Sequence, residues 1–207
     1  TQDWAPRAGA NPSDVTSDVL LMAGEGTLLA AGVTQALEDA QARAGRAGLG
    51  EPVLLAGHSQ GGIAAAALAA DPIFRRRHPV GAVVTSGAPI ARMALPPQVS
   101  VLALEHVQDP VPRLEGTPNP DRRSWVTVTR DVGADLTADP RASRAHDARL
   151  YLATARSVDQ SSSASVRAAR QGSAPFLCGD ANGPAVIRDY SLRRVPAPQA
   201  LVARSAG

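Results

Sequence analysis

The sequence predicts an α/β fold in which a mainly parallel sheet is covered by helices on both faces. Apolar runs typical of buried strands alternate along the chain with helical patterns, an order that indicates such a sheet. A strand at Val53–Ala56 and an alanine-rich helix at Gln60–Ala70 are separated only by a short glycine- and serine-containing turn. With 207 residues the chain is also long enough to bury a core as one domain.

Each predicted element follows from its local pattern. A helical pattern covers 15–44 and is interrupted near Gly24–Gly26, with a short strand at Val19–Met22 as the alternative for its first half. The helix at 60–70 ends before Asp71-Pro72, because proline disfavours a helical conformation in the residue before it. Further strands are predicted at Val80–Thr85, Val99–Glu105 and Trp125–Thr129, and further helices at Ser143–Val158 and Ser161–Gln171.

The last part of the chain is rich in glycine and proline. We therefore predict a core at 1–171 and an irregular C-terminal extension at 172–207 that packs on it. An edge strand at Ala185–Val195 is an alternative within that extension.

The composition excludes several kinds of chemistry. All 21 basic residues are arginine, so a Schiff base, a Ser-Lys dyad and a P-loop lysine are excluded. A net charge of +2 is too small to indicate a nucleic-acid surface. The histidines are scattered and Cys178 is the one cysteine, so we expect no metal, no cofactor and no internal disulfide. The cysteine content does not distinguish a cytoplasmic from a secreted protein. No apolar run is long enough for stable membrane insertion, and nothing indicates an oligomeric state.

The turn between strand and helix carries the chemistry. Gly57-His58-Ser59-Gln60-Gly61 fits the G-x-S-x-G pattern of a nucleophile elbow, in which a strained serine projects above the sheet edge. Gly57 and Gly61 lack Cβ atoms, which should let strand and helix approach each other closely. We therefore predict that Ser59 is the nucleophile of a serine hydrolase.

A serine nucleophile needs a base, and the base needs an acid that orients it. His146 follows the fourth strand, on the side of the sheet where the site should lie, and His106 at the end of the third strand is its rival. Asp109 lies between serine and histidine in a proline-stiffened turn, and Glu105 is its rival. The pattern favours Ser59, Asp109 and His146.

Four stretches resemble α/β-hydrolases of the class 3 lipase type and related actinobacterial hydrolases. They are Gly57-His58-Ser59-Gln60-Gly61-Gly62, Thr85-Ser86-Gly87-Ala88-Pro89, Asp109-Pro110-Val111-Pro112, and His146 with Tyr151. The resemblance covers roughly 50–155 and implies an α/β-hydrolase fold with the same triad. Gln60 stands where the family more often has leucine, and Ser86 where it commonly has phenylalanine.

The oxyanion formed during acyl transfer needs backbone N–H donors. Gln60, which follows the nucleophile, should supply one. Thr1 or Gln2 is predicted to supply the second, just after an upstream strand that this chain lacks, and Gly26-Thr27 is the alternative if 19–22 is a strand. We thus expect an α/β-hydrolase core without its first strands.

The short connection at 88–98 leaves no room for a cap domain, so we expect an open site. Met93, Leu95 and Leu136 are the candidates for its apolar walls. The predicted function is hydrolysis of a small-molecule or lipid carboxylic ester with a small or medium acyl chain. A thioesterase, phospholipase, amidase or acyltransferase would use the same triad, and a non-catalytic binding module is the remaining alternative.

Overall fold

The computed structural model describes residue 9 and residues 11–137, 142–177 and 186–194. The strands are β1 (Val53–His58), β2 (Val80–Ser86), β3 (Ser100–His106) and β4 (Trp125–Arg130). The helices are α1 (Val15–Met22), α2 (Leu28–Arg43), α3 (Gln60–Ala70), α4 (Pro72–Arg77), α5 (Ala142–Ala145), α6 (Ala148–Asp159) and α7 (Ala164–Ser173).

The strands form a parallel sheet in the order β1-β2-β3-β4, and all four therefore end at the same edge. Strand β1 forms one side of the sheet within the described residues. The connection at 87–99 between β2 and β3 contains neither a helix nor a strand, so no cap domain is inserted there. The predicted α/β-hydrolase fold without a cap is confirmed.

Helices cover both faces of the sheet, as the alternation of elements predicts. On one face, α3 packs on β1 and β2, with Ile63 and Leu68 against Val83 and Val101 in one buried cluster. On the other face, α6 and α7 pack on β3. The smaller cluster there contains Leu104, Tyr151, Val158 and Val166. The two clusters fix β1 and β3, which are the strands that carry the site.

One prediction of local structure and two of the alternatives were wrong. Residues 19–22 belong to α1, which begins after Asp14 because its carboxylate accepts the N–H of Ser17. The helix predicted at 143–158 is two helices, because Asp147 caps α6 through the N–H of Arg149 and leaves His146 in the turn between them. Within 186–194 there is no strand, and Ala185 and Val195 lie outside the described residues.

Candidate active site

Ser59 stands between β1 and α3 in a strained conformation. Its φ of 54° and ψ of −126° make it the one non-glycine residue with positive φ in the described part of the chain. Such a conformation costs on the order of 1–3 kcal/mol and has to be held by its surroundings. The N–H of Ser59 donates to the carbonyl of Ser86 on β2 at 2.9 Å, which anchors the turn to the neighbouring strand.

Glycines make the tight turn around Ser59 possible, although one of them is not the glycine predicted. A Cβ at Gly57 would lie 2.1 Å from the carbonyl carbon of Gly61, so β1 and α3 approach each other here as only glycine permits. At Gly61 itself a Cβ would meet nothing within 4 Å among the described residues, so the prediction of a steric role for its missing side chain was wrong. Gly62 is the sterically restricted glycine of α3, because its Cβ would lie 2.6 Å from Cβ of Ala88 and 3.1 Å from the carbonyl oxygen of Gly57.

The imidazole of His146 lies between the side chains of Ser59 and Asp109. Its Nε2 is 2.9 Å from Oγ of Ser59, and its Nδ1 is 2.7 Å from Oδ2 of Asp109. The carboxylate can only accept a proton, so Nδ1 carries the hydrogen and Nε2 is free to accept that of the serine hydroxyl. The His146 side chain is 15% exposed, whereas that of Asp109 is fully buried.

Asp109 is held by hydrogen bonds to both carboxylate oxygens. Oδ2 accepts from Nδ1 of His146 and from the hydroxyl of Tyr151, each at 2.7 Å, and Oδ1 accepts from the N–H of Val111 at 3.0 Å. Burial by itself raises the pKa of this carboxyl, but these hydrogen bonds outweigh it and hold the pKa below its ordinary value. Asp109 is therefore ionised at neutral pH.

The rival residues lie in other arrangements. Both ring nitrogens of His106 are hydrogen-bonded away from Ser59, with Nδ1 at the carbonyl of Ala145 and Nε2 at the hydroxyl of Thr154. Glu105 accepts from the amide of Asn119 at 2.6 Å. The sequence predicted the base and the acid by their order along the chain, and the structure brings those two residues, not their rivals, to Ser59.

Two contacts to His146 were not predicted. Nε2 of His58 lies 2.9 Å from the carbonyl of His146, and the two rings are 4.8 Å apart between centroids. Burial and the neighbouring ring of His146 lower the pKa of His58.

Gly87 has φ of +62°, and a Cβ there would lie 3.1 Å from Cε1 and Nδ1 of His146. The loosely matched Thr85–Pro89 stretch was a signal for this glycine, but no local pattern shows a contact across 59 residues of sequence.

The predicted oxyanion donors have different outcomes. Gln60 is the first residue of α3, where an N–H has no partner within the helix, and its side chain is bonded to the Ser13 hydroxyl and the Asp14 carbonyl. Thr1 and Gln2 lie outside the described residues. The Gly26-Thr27 alternative was wrong, because Thr27 caps α2 and Gly26 lies near Ala70 at the far end of α3 from Ser59.

The three apolar residues predicted to line the site lie in hydrophobic clusters. Met93 and Leu95 belong to the cluster between α3 and the sheet, where Leu95 is 3% exposed. Leu136 packs with Val132 and Ala145 in a small separate cluster. The prediction that they form the walls of an open pocket is therefore corrected: they are core residues, and Leu136 supports the turn that precedes His146.

A cavity of about 570 Å³ lies on the sheet face that carries α6 and α7. Its walls include Leu54, Val84 and Leu102, and neither Ser59 nor Asp109 nor His146 lines it. The chemistry is therefore placed at the strand ends and not in this cavity. In the described part of the chain no group of three or more His, Cys, Asp or Glu side chains could hold a metal ion. None of the helices described there combines the length and apolar character that a membrane crossing requires.

Comparison with known proteins gives one family. The family model described as "Serine aminopeptidase, S33" matches residues 27–182, a range that contains Ser59, Asp109 and His146. No curated protein and no solved structure matches the chain.

Proposed function

The chain belongs to the S33 serine aminopeptidase family of α/β-hydrolases and is a serine hydrolase, and we propose that it cleaves carboxylic esters through an acyl-enzyme intermediate on Ser59. The observation that carries the proposal is the continuous path from Oγ of Ser59 through the ring of His146 to Asp109, with distances of 2.9 Å and 2.7 Å. These are the distances that a nucleophile, a base and an orienting acid require.

In the acylation step, Oγ of Ser59 attacks the ester carbonyl carbon while Nε2 of His146 takes the hydroxyl proton. The carbonyl π electrons move to oxygen and form a tetrahedral oxyanion. When this intermediate collapses, the bond to the alkoxy oxygen breaks, and His146 returns the proton to the leaving alcohol. Asp109, ionised and fully buried, stabilises the imidazolium in between.

In the deacylation step, water takes the place of the alcohol. His146 removes one proton from the water as it attacks the acyl carbon, and the same proton returns to Oγ of Ser59 when the acid product leaves. The His146 side chain is 15% exposed, and we expect water to approach its ring from that exposed side. The N–H of Gln60 at the start of α3 stabilises the oxyanion in both steps, aided by the positive end of the helix dipole.

The family description suggests peptides as the competing substrate class. An aminopeptidase has to bind the free α-amino group of its substrate, for which a carboxylate near the serine is the natural partner. Two of the described acidic side chains near His146 already have partners: Asp109 contacts His146 itself, and Asp147, the next residue in the chain, caps α6 and pairs with Arg144. These pairings favour an ester over a peptide with a free amino terminus.

The acyl group we propose is small or medium in length. The short connection between β2 and β3 adds no cap that would enclose a long chain, and only 3% of the residues are aromatic. The resemblance to class 3 lipases keeps lipid esters as an alternative substrate. Thioester cleavage and acyl transfer use the same three side chains, so a panel of esters, thioesters and amides separates these activities.

The proposed function is tested by active-site labelling and turnover together. We expect fluorophosphonate to label the wild type, and p-nitrophenyl acetate and butyrate to be hydrolysed. Both should be lost in Ser59→Ala and kept in Ser157→Ala, which removes an exposed serine of α6. A folded wild type that is neither labelled nor active would contradict the proposal. Labelling with turnover of aminoacyl amides and none of esters would favour the peptidase.

A further inference from the structure

A layer of buried side chains lies directly behind Asp109 and His146. The hydroxyl of Tyr151 accepts the backbone N–H of His106 at 3.2 Å and lies 2.7 Å from Oδ2 of Asp109. Since a phenol has one proton and the main-chain N–H fills its acceptor side, the Tyr151 proton points at the carboxylate. Tyr151 is thus oriented as a donor to the acid of the site.

The ring of His106 contacts both Tyr151 and the turn that carries His146. It stacks on the Tyr151 ring with centroids 3.7 Å apart and an angle of 8° between the planes. Its Nδ1 lies 2.7 Å from the carbonyl of Ala145, the residue before His146. A carbonyl only accepts, so Nδ1 carries the hydrogen and donates it.

The other nitrogen of His106 is fixed in the complementary state. Nε2 lies 2.8 Å from the Thr154 hydroxyl, which in turn accepts from Nη1 of Arg130 at 3.2 Å. With Arg130 on its acceptor side, the Thr154 hydroxyl can donate its proton to Nε2 at 2.8 Å or to the Leu150 carbonyl at 3.3 Å. The shorter distance favours Nε2, and a neutral His106 ring then has both nitrogens satisfied. His106 and Thr154 are each almost completely buried, so water cannot replace these contacts.

We propose that His106 and Tyr151 form a positioning pair that holds Asp109 and His146, the acid and the base of the site, in the correct orientation relative to each other. Tyr151 orients Asp109 through its hydroxyl, and His106 orients His146 through the Ala145 carbonyl and Tyr151 through the ring stack. None of the hydrogen bonds of His106 or Tyr151 in the described structure goes to Ser59. The inference rests on the proposed function, because the pair has a role in turnover only if Ser59, His146 and Asp109 carry out that function.

The geometry explains why one strand end can control two catalytic groups. His106 is the last residue of β3, and Asp109 follows it in the same turn. The side chain of His106 reaches forward to the turn between α5 and α6, while Tyr151 and Thr154 reach back from α6. Movement of α6 relative to β3 would therefore shift Asp109 and His146 together.

The charge environment sets the direction of the expected pH effect. The titratable groups that face Asp109 are His146, Tyr151, His106, His58 and Glu105, and Arg130 and Asp135 face His106. The Tyr151 hydrogen bond contributes to the lowered pKa of Asp109, so its loss raises that pKa. Without this hydrogen bond the carboxylate interacts more strongly with the positively charged form of the His146 ring. Activity requires the neutral ring, so its fall on acidification should begin at a higher pH.

The test compares Tyr151→Phe, which keeps the ring stack and removes the hydroxyl, with His106→Ala and His106→Asn. Asparagine places an N–H donor near the position of Nδ1 and can still bond the Ala145 carbonyl. Turnover of p-nitrophenyl butyrate is divided by the amount of fluorophosphonate-labelled Ser59, so that only folded sites are counted. The pH profile of kcat/KM is measured for each variant.

We expect kcat per labelled site to fall about tenfold in Tyr151→Phe, with KM changed less than about twofold and the acid limb of the profile moved to higher pH. His106→Ala should lose at least as much, and His106→Asn should recover part of it. Unchanged kcat per labelled site and an unchanged acid limb in Tyr151→Phe would overturn the proposal.

A second measurement keeps the inference testable if esters are not the substrate. The proton between Nδ1 of His146 and Asp109 is expected as a downfield ¹H NMR signal in the wild type, absent from Asp109→Asn. Its position should change in Tyr151→Phe if the hydroxyl shares the carboxylate oxygen. A signal at the same position in the wild type and in Tyr151→Phe would contradict the positioning role. Absence of fluorophosphonate labelling in the wild type would contradict the proposed function alone.

Discussion

A Cβ atom on Gly57 would lie 2.1 Å from the carbonyl carbon of Gly61, on the opposite side of Ser59. This approach of the end of β1 to the first turn of α3 closes the elbow. The contact has two sides that are not equivalent, because the side-chain position of Gly57 is filled by backbone and that of Gly61 has nothing within 4 Å in the described structure. The same motif therefore contains one glycine that sterics require and one that they do not.

The first prediction compares alanine at these two positions. Gly57→Ala should destabilise the protein by at least about 3 kcal/mol, because the backbone of α3 has to move and cannot do so without unpacking its buried face. Gly61→Ala should leave stability unchanged or raise it by up to about 1 kcal/mol, since alanine is the better helix residue. Urea unfolding of both variants measures the difference. Equal destabilisation by the two substitutions would show that the elbow is not packed as described.

The second prediction concerns Gly87, which faces the His146 ring. Gly87→Ala should reduce kcat about 10- to 100-fold, because the new methyl group would lie 3.1 Å from two ring atoms of His146 and 2.9 Å from the Tyr151 ring. Left-handed backbone strain of about 1–2 kcal/mol is added to this.

Gly116→Ala is the matched control for that strain. Gly116 has φ of +67°, and among the described residues nothing lies within 4 Å of its Cβ position. The substitution therefore places alanine in a similar left-handed conformation without a contact to the site. It should lower stability and leave kcat unchanged. If both variants lose turnover equally, backbone strain and not contact with His146 explains the effect.

Local signals were sufficient to predict much of the fold. The apolar run of β1 and the alanine-rich α3 need no information from distant residues, and α3 has the predicted bounds of Gln60–Ala70. The helix predicted at 143–158 failed because a helix break depends on a choice between two caps. The prediction began one helix at Ser143, whereas Asp147 caps a separate helix, α6, and His146 lies in the turn between α5 and α6.

The site itself was predictable only in part. The order of serine, acid and histidine along the chain led to Ser59, Asp109 and His146, and the parallel sheet places the ends of β1 and β3 together. The environment of these residues was not predictable. The Tyr151 hydroxyl reaches Asp109 across 42 residues of sequence, and that contact depends on the docking of α6. Met93 and Leu95 are apolar residues of the kind found both in pocket walls and in hydrophobic cores. Only their burial in the structure shows that they belong to the core.

The third prediction uses the sign of the Asp109 pKa shift. The folded pKa lies below the ordinary value of 3.8, so ionised Asp109 contributes stability that is present above that value and is lost as the pH falls through the folded pKa. Asp109→Asn should lower stability at pH 7 by about 1–3 kcal/mol and kcat by about 10³- to 10⁴-fold. The stability difference from wild type should stay constant at neutral pH and shrink as the pH falls below 3.8.

Asp131→Asn is the control for this prediction. Asp131 is an exposed aspartate that also accepts a backbone N–H, from Gly133, but it bonds Gln108 and not His146. Its substitution should leave kcat unchanged. A stability difference for Asp109→Asn that persists undiminished in acid would mean that the carboxylate is not the stabilised form in the folded protein.

The fourth prediction concerns the attachment of residues 186–194 near the elbow, a placement that bears on our proposal that the C-terminal extension packs on the core. The guanidinium of Arg194 lies 2.6 Å from the buried carboxylate of Asp14, and the carbonyl of Asp14 accepts from the Gln60 side chain at 2.9 Å. One path of polar contacts thus runs from this segment to the residue that supplies the proposed oxyanion N–H. Tyr190 adds a second attachment, to Asp39 on α2, at 2.9 Å.

We expect Arg194→Gln to destabilise the protein by about 1–3 kcal/mol, because it leaves the buried Asp14 carboxylate with less compensation. Turnover should fall with kcat affected more than KM, since Gln60 loses support on one side. Tyr190→Phe removes the more exposed attachment on α2 and should change stability by no more than about 0.5 kcal/mol, with normal turnover. Urea unfolding and p-nitrophenyl butyrate kinetics measure both effects. Normal stability and turnover in Arg194→Gln would show that the segment is not coupled to the elbow, whereas lower stability with normal kcat would confine its role to the fold.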